Sequence, residues 1–330
     1  MNIKDNKKLY DNSIVIDGLN VSNWNSPKVY KSLQSGGVTA INATIAVWEG
    51  FHETMRNLED WYARFQENNS LLHATSVADI IKAKSDNKTA IIFGWQNASP
   101  IENRLDRLQL FHALGVRIIQ ITYNERNLIG NGCYERRDEG LSLFGVDAVK
   151  EMNSLGILID LSHVGDKTTL EAAEISEGPV AITHANARSY VDHPRNKTDD
   201  ALRLVTEKGG VVGANAFPPF LKNGLKSTLI DYVDCIEDLI ERVGIDHTAI
   251  GTDFTQDQPQ DFYEWIFMQQ GTKSVGKNPM PDSYQSLSGL ESPDKMRNIS
   301  NELQKRGYKN EDIIKIMGGN WLKLFEKVWN

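Results

Sequence analysis

Eight short apolar runs, alternating with amphipathic segments, constrain the fold of this chain more than any other feature. They are IVIDGL (14–19), TAINATIAV (39–47), TAIIFGWQ (89–96), VRIIQITY (116–123), GILIDLSHV (156–164), PVAITHA (179–185), VVGANA (211–216) and AIGTDF (249–254). They are rich in Val, Ile and Thr and nearly continuous, the pattern of parallel strands buried on both faces. Between them, HETMRNLEDWYARFQEN (52–68) places Met55, Leu58, Tyr62 and Phe65 on one helical stripe. IENRLDRLQLFHALG (101–115) and GVDAVKEMNSLG (145–156) each close on a glycine, as helices do. Eight β/α alternations without a long linker predict a single α/β domain over 1–330, a TIM-like (β/α)8 barrel. The competing architecture is a doubly wound open sheet. No G-x-G-x-x-G follows the first run, which weakens its dinucleotide-binding version. Residues 255–293 lack periodicity and read as an excursion over the barrel mouth, followed by helices at about 294–306 and 310–329.

Composition narrows the class further. The net charge of −8 and the lack of a Lys/Arg-rich run argue against nucleic acid and against an anionic membrane surface. No run approaches the ~18 apolar residues of a bilayer span, and the start of the chain lacks a signal-peptide core. Cys133 and Cys235 match no zinc or redox spacing and suit packing thiols in a reducing compartment. The expected location is cytoplasmic.

Barrel enzymes place their chemistry where strands end. Towards the end of the fifth run stands His163, of the sixth His184 and of the eighth Asp253; the third runs out through Gln96 into Asn97, the fourth through Tyr123 into Asn124. Neighbouring strands lie about 4.8 Å apart, so imidazoles at one level on consecutive strands can meet one cation. A lone histidine is more often a hydrogen-bonded core residue, but two ending consecutive strands, with an aspartate ending the last, point to a metal site. The remaining histidines (His52, His73, His112, His193, His247) read as solvated or capping residues of helices and loops. Arg195, beside His193, is the candidate for a substrate carboxylate, since its fork matches one bidentately. Its ordinary alternative is a surface ion pair with Asp199 or Asp200.

These same residues resemble the membrane (renal-type) dipeptidases, peptidase family M19 of the amidohydrolase-like barrels. The similarity runs over about 14–254 and is most specific in GILIDLSHVGDKTT (156–169), PVAITHANARSYVDHPRNKTDD (179–200) and IGTDF (250–254), with GLSLFGVDAVKEMNSLG (140–156) before them. The resemblance implies a usually dimeric barrel with two zinc ions that hydrolyses dipeptides. It implies that His163 and His184 hold the second metal, that Asp253 moves protons and that Arg195 binds substrate. The family's His-x-Asp at the end of strand one falls here on Leu19 and Val21, and its bridging glutamate falls on Gln96.

What remains is a reduced site of His163, His184 and Gln96, expected to hold one weakly bound zinc, with an apo site as its competitor. The leading expectation is a metallohydrolase cleaving an amide bond in a small, carboxylate-bearing, dipeptide-like substrate. Tyr123 and Asn124 are candidate oxyanion donors. The alternatives are a metal-independent acid/base enzyme acting on an amino-acid derivative and a catalytically dead ligand-binding barrel. The Tyr134–Asp138 run either lines the pocket or makes a dimer contact.

Overall fold

The computed structural model describes residues 3–269, 273–274 and 286–329. Its main sheet is parallel and contains all eight expected strands: β1 (Ile16–Asn20), β2 (Ala40–Ala46), β4 (Thr89–Trp95), β5 (Val116–Gln120), β6 (Leu158–Asp160), β7 (Ala181–Ile182), β8 (Val211–Ala214) and β9 (Thr248–Ile250). A short strand, β3 (Leu71–His73), pairs with the first half of β4, while β5 takes the second half. The ring closes just past the ends of β1 and β9. Val21 N–H donates to Phe254 O at 2.9 Å and Asp253 N–H to Leu19 O at 3.1 Å. The predicted barrel is therefore the observed one. Among the described residues no helix is long and apolar enough to cross a membrane.

Two carboxylates bracket adjacent strands in the same way. Asp17 accepts from Thr252 N–H at 2.7 Å and from Thr252 Oγ1 at 2.7 Å, tying β1 to β9. Asp160 accepts from Thr183 N–H at 2.9 Å and from Thr183 Oγ1 at 2.6 Å, tying β6 to β7. Each bracket satisfies polar groups that burial would otherwise penalise. Inside the barrel floor, Ile16, Ile92, Ile118, Leu158 and Val211 meet the small side chains of Ala40, Ala181 and Ala249. The space these alanines leave is filled by Trp321 of the helix Asn320–Val328, whose indole N–H donates to Ile250 O at 2.9 Å. A Cβ on Gly18 would lie 2.7 Å from that ring, so this position has to stay bare.

Several local expectations need correction. The helix Phe51–Glu67 buries Thr54, Leu58 and Trp61, whereas Tyr62 is exposed and donates to Leu114 O. Trp61 outcompetes Tyr62 because the indole can be buried against Trp24 and Phe93. The segment 101–115 is not one helix but a 3-10 turn followed by Asp106–Ala113. His73 ends β3 instead of lying in a helix or loop, wedged between Phe65 and Phe93. The excursion after Asp253 contains a helix, Gln260–Ile266; its stretches 270–272 and 275–285 lie outside the described residues. The last helix is interrupted by a π turn at Lys315–Gly319.

Candidate active site

His163 and His184 come together at the C-terminal mouth, their Nε2 atoms 3.1 Å apart. Their tautomers follow from the bonds made by the opposite nitrogens. His163 Nδ1 lies 2.7 Å from Asn124 Oδ1, an oxygen that can only accept, so this Nδ1 carries the proton. His184 Nδ1 lies 2.7 Å from Thr183 Oγ1, whose own hydrogen goes to Asp160, so this imidazole also donates from Nδ1. Both Nε2 lone pairs then point at each other. Burial, reinforced by the Arg195 charge, holds both rings well below the usual histidine range, so both are neutral at physiological pH. Tyr123 stacks on His163 with ring centroids 4.1 Å apart. Two converging lone pairs repel unless a cation lies between them. Two imidazoles bound at about 2.0–2.1 Å to one tetrahedral ion are about 3.3 Å apart, close to the separation here.

Arg195 is 1% exposed, which rules out the surface ion pair. Asp199 bonds Ser189 and Arg242, and Asp200 bonds Arg203. The guanidinium instead donates from Nη1 to Ser162 O at 2.9 Å and from Nη2 to His184 O at 2.7 Å, bracing the backbone of both histidine segments. Its Nε–H has no hydrogen-bond partner among the described residues. Asp253 sits just past β9 with φ +60°, a conformation rare outside glycine, and accepts from Asn215 Nδ2 at 3.1 Å. Burial pushes its carboxyl upward, opposed by Arg195 and by the Asn215 bond. Asn215 also donates to His184 O at 3.1 Å, linking the two sides of the site. It lies next to last in the VVGANA run, just past β8, and that position was the signal that could have found it. Asn124 faces the histidine with its oxygen, so its side chain orients His163.

The opposite wall is apolar. Leu19 is buried, and Val21 packs with Val47, Tyr123 and Ile266. Gln96 lines the cavity, with its Nε2 donating to Thr44 Oγ1 at 3.0 Å. The helix Gln260–Ile266 roofs the site, tied down where Trp48 Nε1 donates to Ile266 O and Tyr263 OH to Thr255 Oγ1. Between roof and His163 lies a cavity of about 50 Å³, room for a few waters. Tyr134 lines it, whereas Asp138 at the other end of that run accepts from Thr168 and pins the loop. His193 stacks near Phe220 and accepts from Arg195 N–H, and His247 bonds Gly210 O. Among the described residues no three His, Cys, Asp or Glu side chains are placed to hold a metal together. The converging imidazoles of His163 and His184 are the donors here that could hold a cation.

A parallel barrel with paired histidines at its mouth is the architecture of the amidohydrolase-type hydrolases, and comparison with known proteins agrees. The membrane dipeptidase (peptidase family M19) sequence model matches residues 5–265 and 255–330. The chain is 31% identical over 264 residues to an uncharacterised protein in the pqqA 5′ region of Klebsiella pneumoniae, covering 77% of this chain and 88% of that one. It is 30% identical over 254 residues to the dipeptidase tcpJ of Claviceps purpurea, covering 76% of this chain but only 53% of that protein's length. An amidohydrolase from Pseudomonas aeruginosa superposes with a TM-score of 0.95 at 40% identity, over 98% of this chain and 99% of that one. A metallo peptidase from Rhodobacter sphaeroides shares the fold at a TM-score of 0.80 and 20% identity, over 96% of this chain and all of that one (100%). The chain belongs to the membrane dipeptidase family, M19, a family of metal-dependent hydrolases of peptide bonds.

Proposed function

We propose that this chain hydrolyses an amide bond in a small, carboxylate-bearing, dipeptide-like substrate, using a single divalent cation held by His163 and His184. The observation that carries this reading is the pair of Nε2 lone pairs converging at 3.1 Å in a buried, neutral histidine pair. Zinc suits two imidazoles, and a cation bound there supplies a water acidic enough to attack at neutral pH. Gln96 contributes at most a neutral amide oxygen, so the ion is held more weakly than by a His₂-carboxylate set.

The chain's own groups do the rest. Asp253, its carboxyl raised by burial, takes a proton from the attacking water and returns it to the leaving amine. Arg195 offers the free Nε–H and a fixed positive charge to the substrate carboxylate while holding both histidine segments in place. Tyr123, which lines the cavity, donates to the tetrahedral oxyanion, and Asn124 keeps the His163 ring in its tautomer. The apolar wall and roof exclude water, which strengthens each of these interactions.

The test is the metal content of protein purified without chelator, paired with dipeptide hydrolysis before and after zinc addition. About one zinc per chain with zinc-dependent turnover is the expected result. Turnover unaffected by chelator would replace this reading with the metal-independent acid/base enzyme. Zinc binding without turnover of any dipeptide would leave a ligand-binding barrel.

A further inference from the structure

A second cavity, about 270 Å³, opens beside the catalytic one and shares two of its walls, Val21 and Phe262. It lies at the same barrel face, under the residues that follow β1 and β2. Its sides are the half-buried rings of Trp24, Trp265 and Phe262, and its polar groups include Asn57, Arg64 and Glu49. The carboxylate of Glu49 is preorganised. Val47 N–H donates to Oε2 at 2.7 Å and Asn57 Nδ2 to Oε1 at 3.2 Å; Asn57 is itself fixed by a 2.8 Å bond to Ile45 O. Ser99 Oγ holds the Glu49 backbone carbonyl at 2.8 Å.

The charge balance of this cavity is uneven. Arg64 is engaged by Trp24 O, by Asn25 Oδ1 and, at 4.0 Å, by Asp60, and it lies over the Trp61 ring. Glu49 has no lysine, arginine or histidine ion-pair partner among the described residues. An anionic group locked in place in a cavity that aromatic rings also line fits an ammonium group, by direct ionic hydrogen bonding to the carboxylate and by cation–π attraction to the rings. In the catalytic cavity the fixed substrate-facing cation is Arg195, so the two cavities in sequence present a positive group and then a negative one. That order matches a dipeptide, with a carboxylate at one end and an ammonium at the other.

We infer that the side cavity receives the amino-terminal residue of the substrate and that Glu49 accepts its α-ammonium group. This rests on the hydrolase reading above and narrows the substrate class to peptides with a free amino terminus. Val21 and Phe262 form the shared wall past which the substrate crosses. Glu49 follows the TAINATIAV run (39–47) at the catalytic end of β2, where strand-end chemistry is expected, but a glutamate inside a surface-like Trp-Glu-Gly turn gave no motif.

The experiment compares kcat/KM for leucyl-glycine and Nα-acetyl-leucyl-glycine in the wild type, Glu49→Gln and Asn57→Leu, each checked for folding by circular dichroism. The wild type is expected to prefer the free amine by roughly tenfold to a hundredfold, the worth of an ionic hydrogen bond. Glu49→Gln should bring that ratio towards one. Asn57→Leu, which unlocks Glu49 without removing it, should reduce the ratio in part. Equal rates for both substrates in the wild type, or a ratio untouched by Glu49→Gln, overturns the inference while leaving hydrolysis standing. A second readout is independent of turnover: titration with leucine against Nα-acetyl-leucine, followed by the fluorescence of Trp24, Trp61 and Trp265. Saturable binding of leucine alone, abolished in Glu49→Gln, supports the site even if nothing is hydrolysed, in which case only the hydrolase reading falls. No leucine binding together with no hydrolysis overturns both.

Discussion

On one side of the barrel mouth, the segments just past β6, β7 and β9 carry His163, His184 and Asp253; on the other, β1 and β2 run out into Leu19, Val21 and Val47. Both sides are built from the same β/α unit, yet they solve different problems. On the polar side every functional group is held by a second residue: His163 by Asn124, His184 by Thr183, Asp253 by Asn215. On the apolar side the residues hold one another by packing, with Val21, Val47, Tyr123 and Ile266 in one cluster. The contrast shows a division of labour, in which one half supplies directed charge and the other a dry wall that keeps that charge strong.

The largest way to break this contrast is at Asp253. Asp253→Asn keeps the bond to Asn215 within reach but removes the proton carrier, and kcat should fall roughly 10²–10⁴-fold in steady-state assays, with the melting temperature little changed. Next is Val21→Asp, which places a carboxylate in the dry wall without a partner. Unfolding in urea should show a loss of about 3 kcal/mol, and zinc content should not rise, because the facing position is still Leu19.

The third test uses His73, at the end of β3 and away from the mouth. Burial among Phe65 and Phe93, with Arg117 adding to it, lowers its pKa from 6.5 to about 4. The folded state therefore binds fewer protons than the unfolded chain between pH 6.5 and 4, and stability falls as pH drops through that window. The loss should approach about 3 kcal/mol, and His73→Gln should remove that part of the slope in chemical denaturation run at several pH values. The smallest effect is expected from Gln96→Glu, which extends the polar side by one anionic oxygen. Zinc affinity measured by competition should tighten about tenfold. An unchanged affinity would place Gln96 outside the metal's reach.

Much of this layout was legible in the sequence, for identifiable reasons. Long Val/Ile/Thr runs gave all eight barrel strands because such runs have few other folded uses, and the strand-end rule then located both histidines and Asp253. Three residues of β3 were too few to register a period. The choice of Trp61 over Tyr62 depended on partners far away in the chain, Trp24 and Phe93, which no local pattern contains. Arg195 was picked for its charge and for a carboxylate. Its bracing of Ser162 O and His184 O could not be foreseen, because backbone carbonyls carry no sequence signature. The roof helix at Gln260–Ile266 was missed because its seven residues sit inside a polar excursion.

The indole of Trp321 also sets an order of events during synthesis. The last barrel strand ends at Ile250, and the ring that bonds its carbonyl comes 71 residues later. A nascent chain that has completed all eight strands still has an open floor, lined by alanines and by the bare backbone of Gly18. Sealing is deferred until the distal helix arrives, so a translation stall or a truncation between these points would leave a barrel that is topologically complete but hollow at its base.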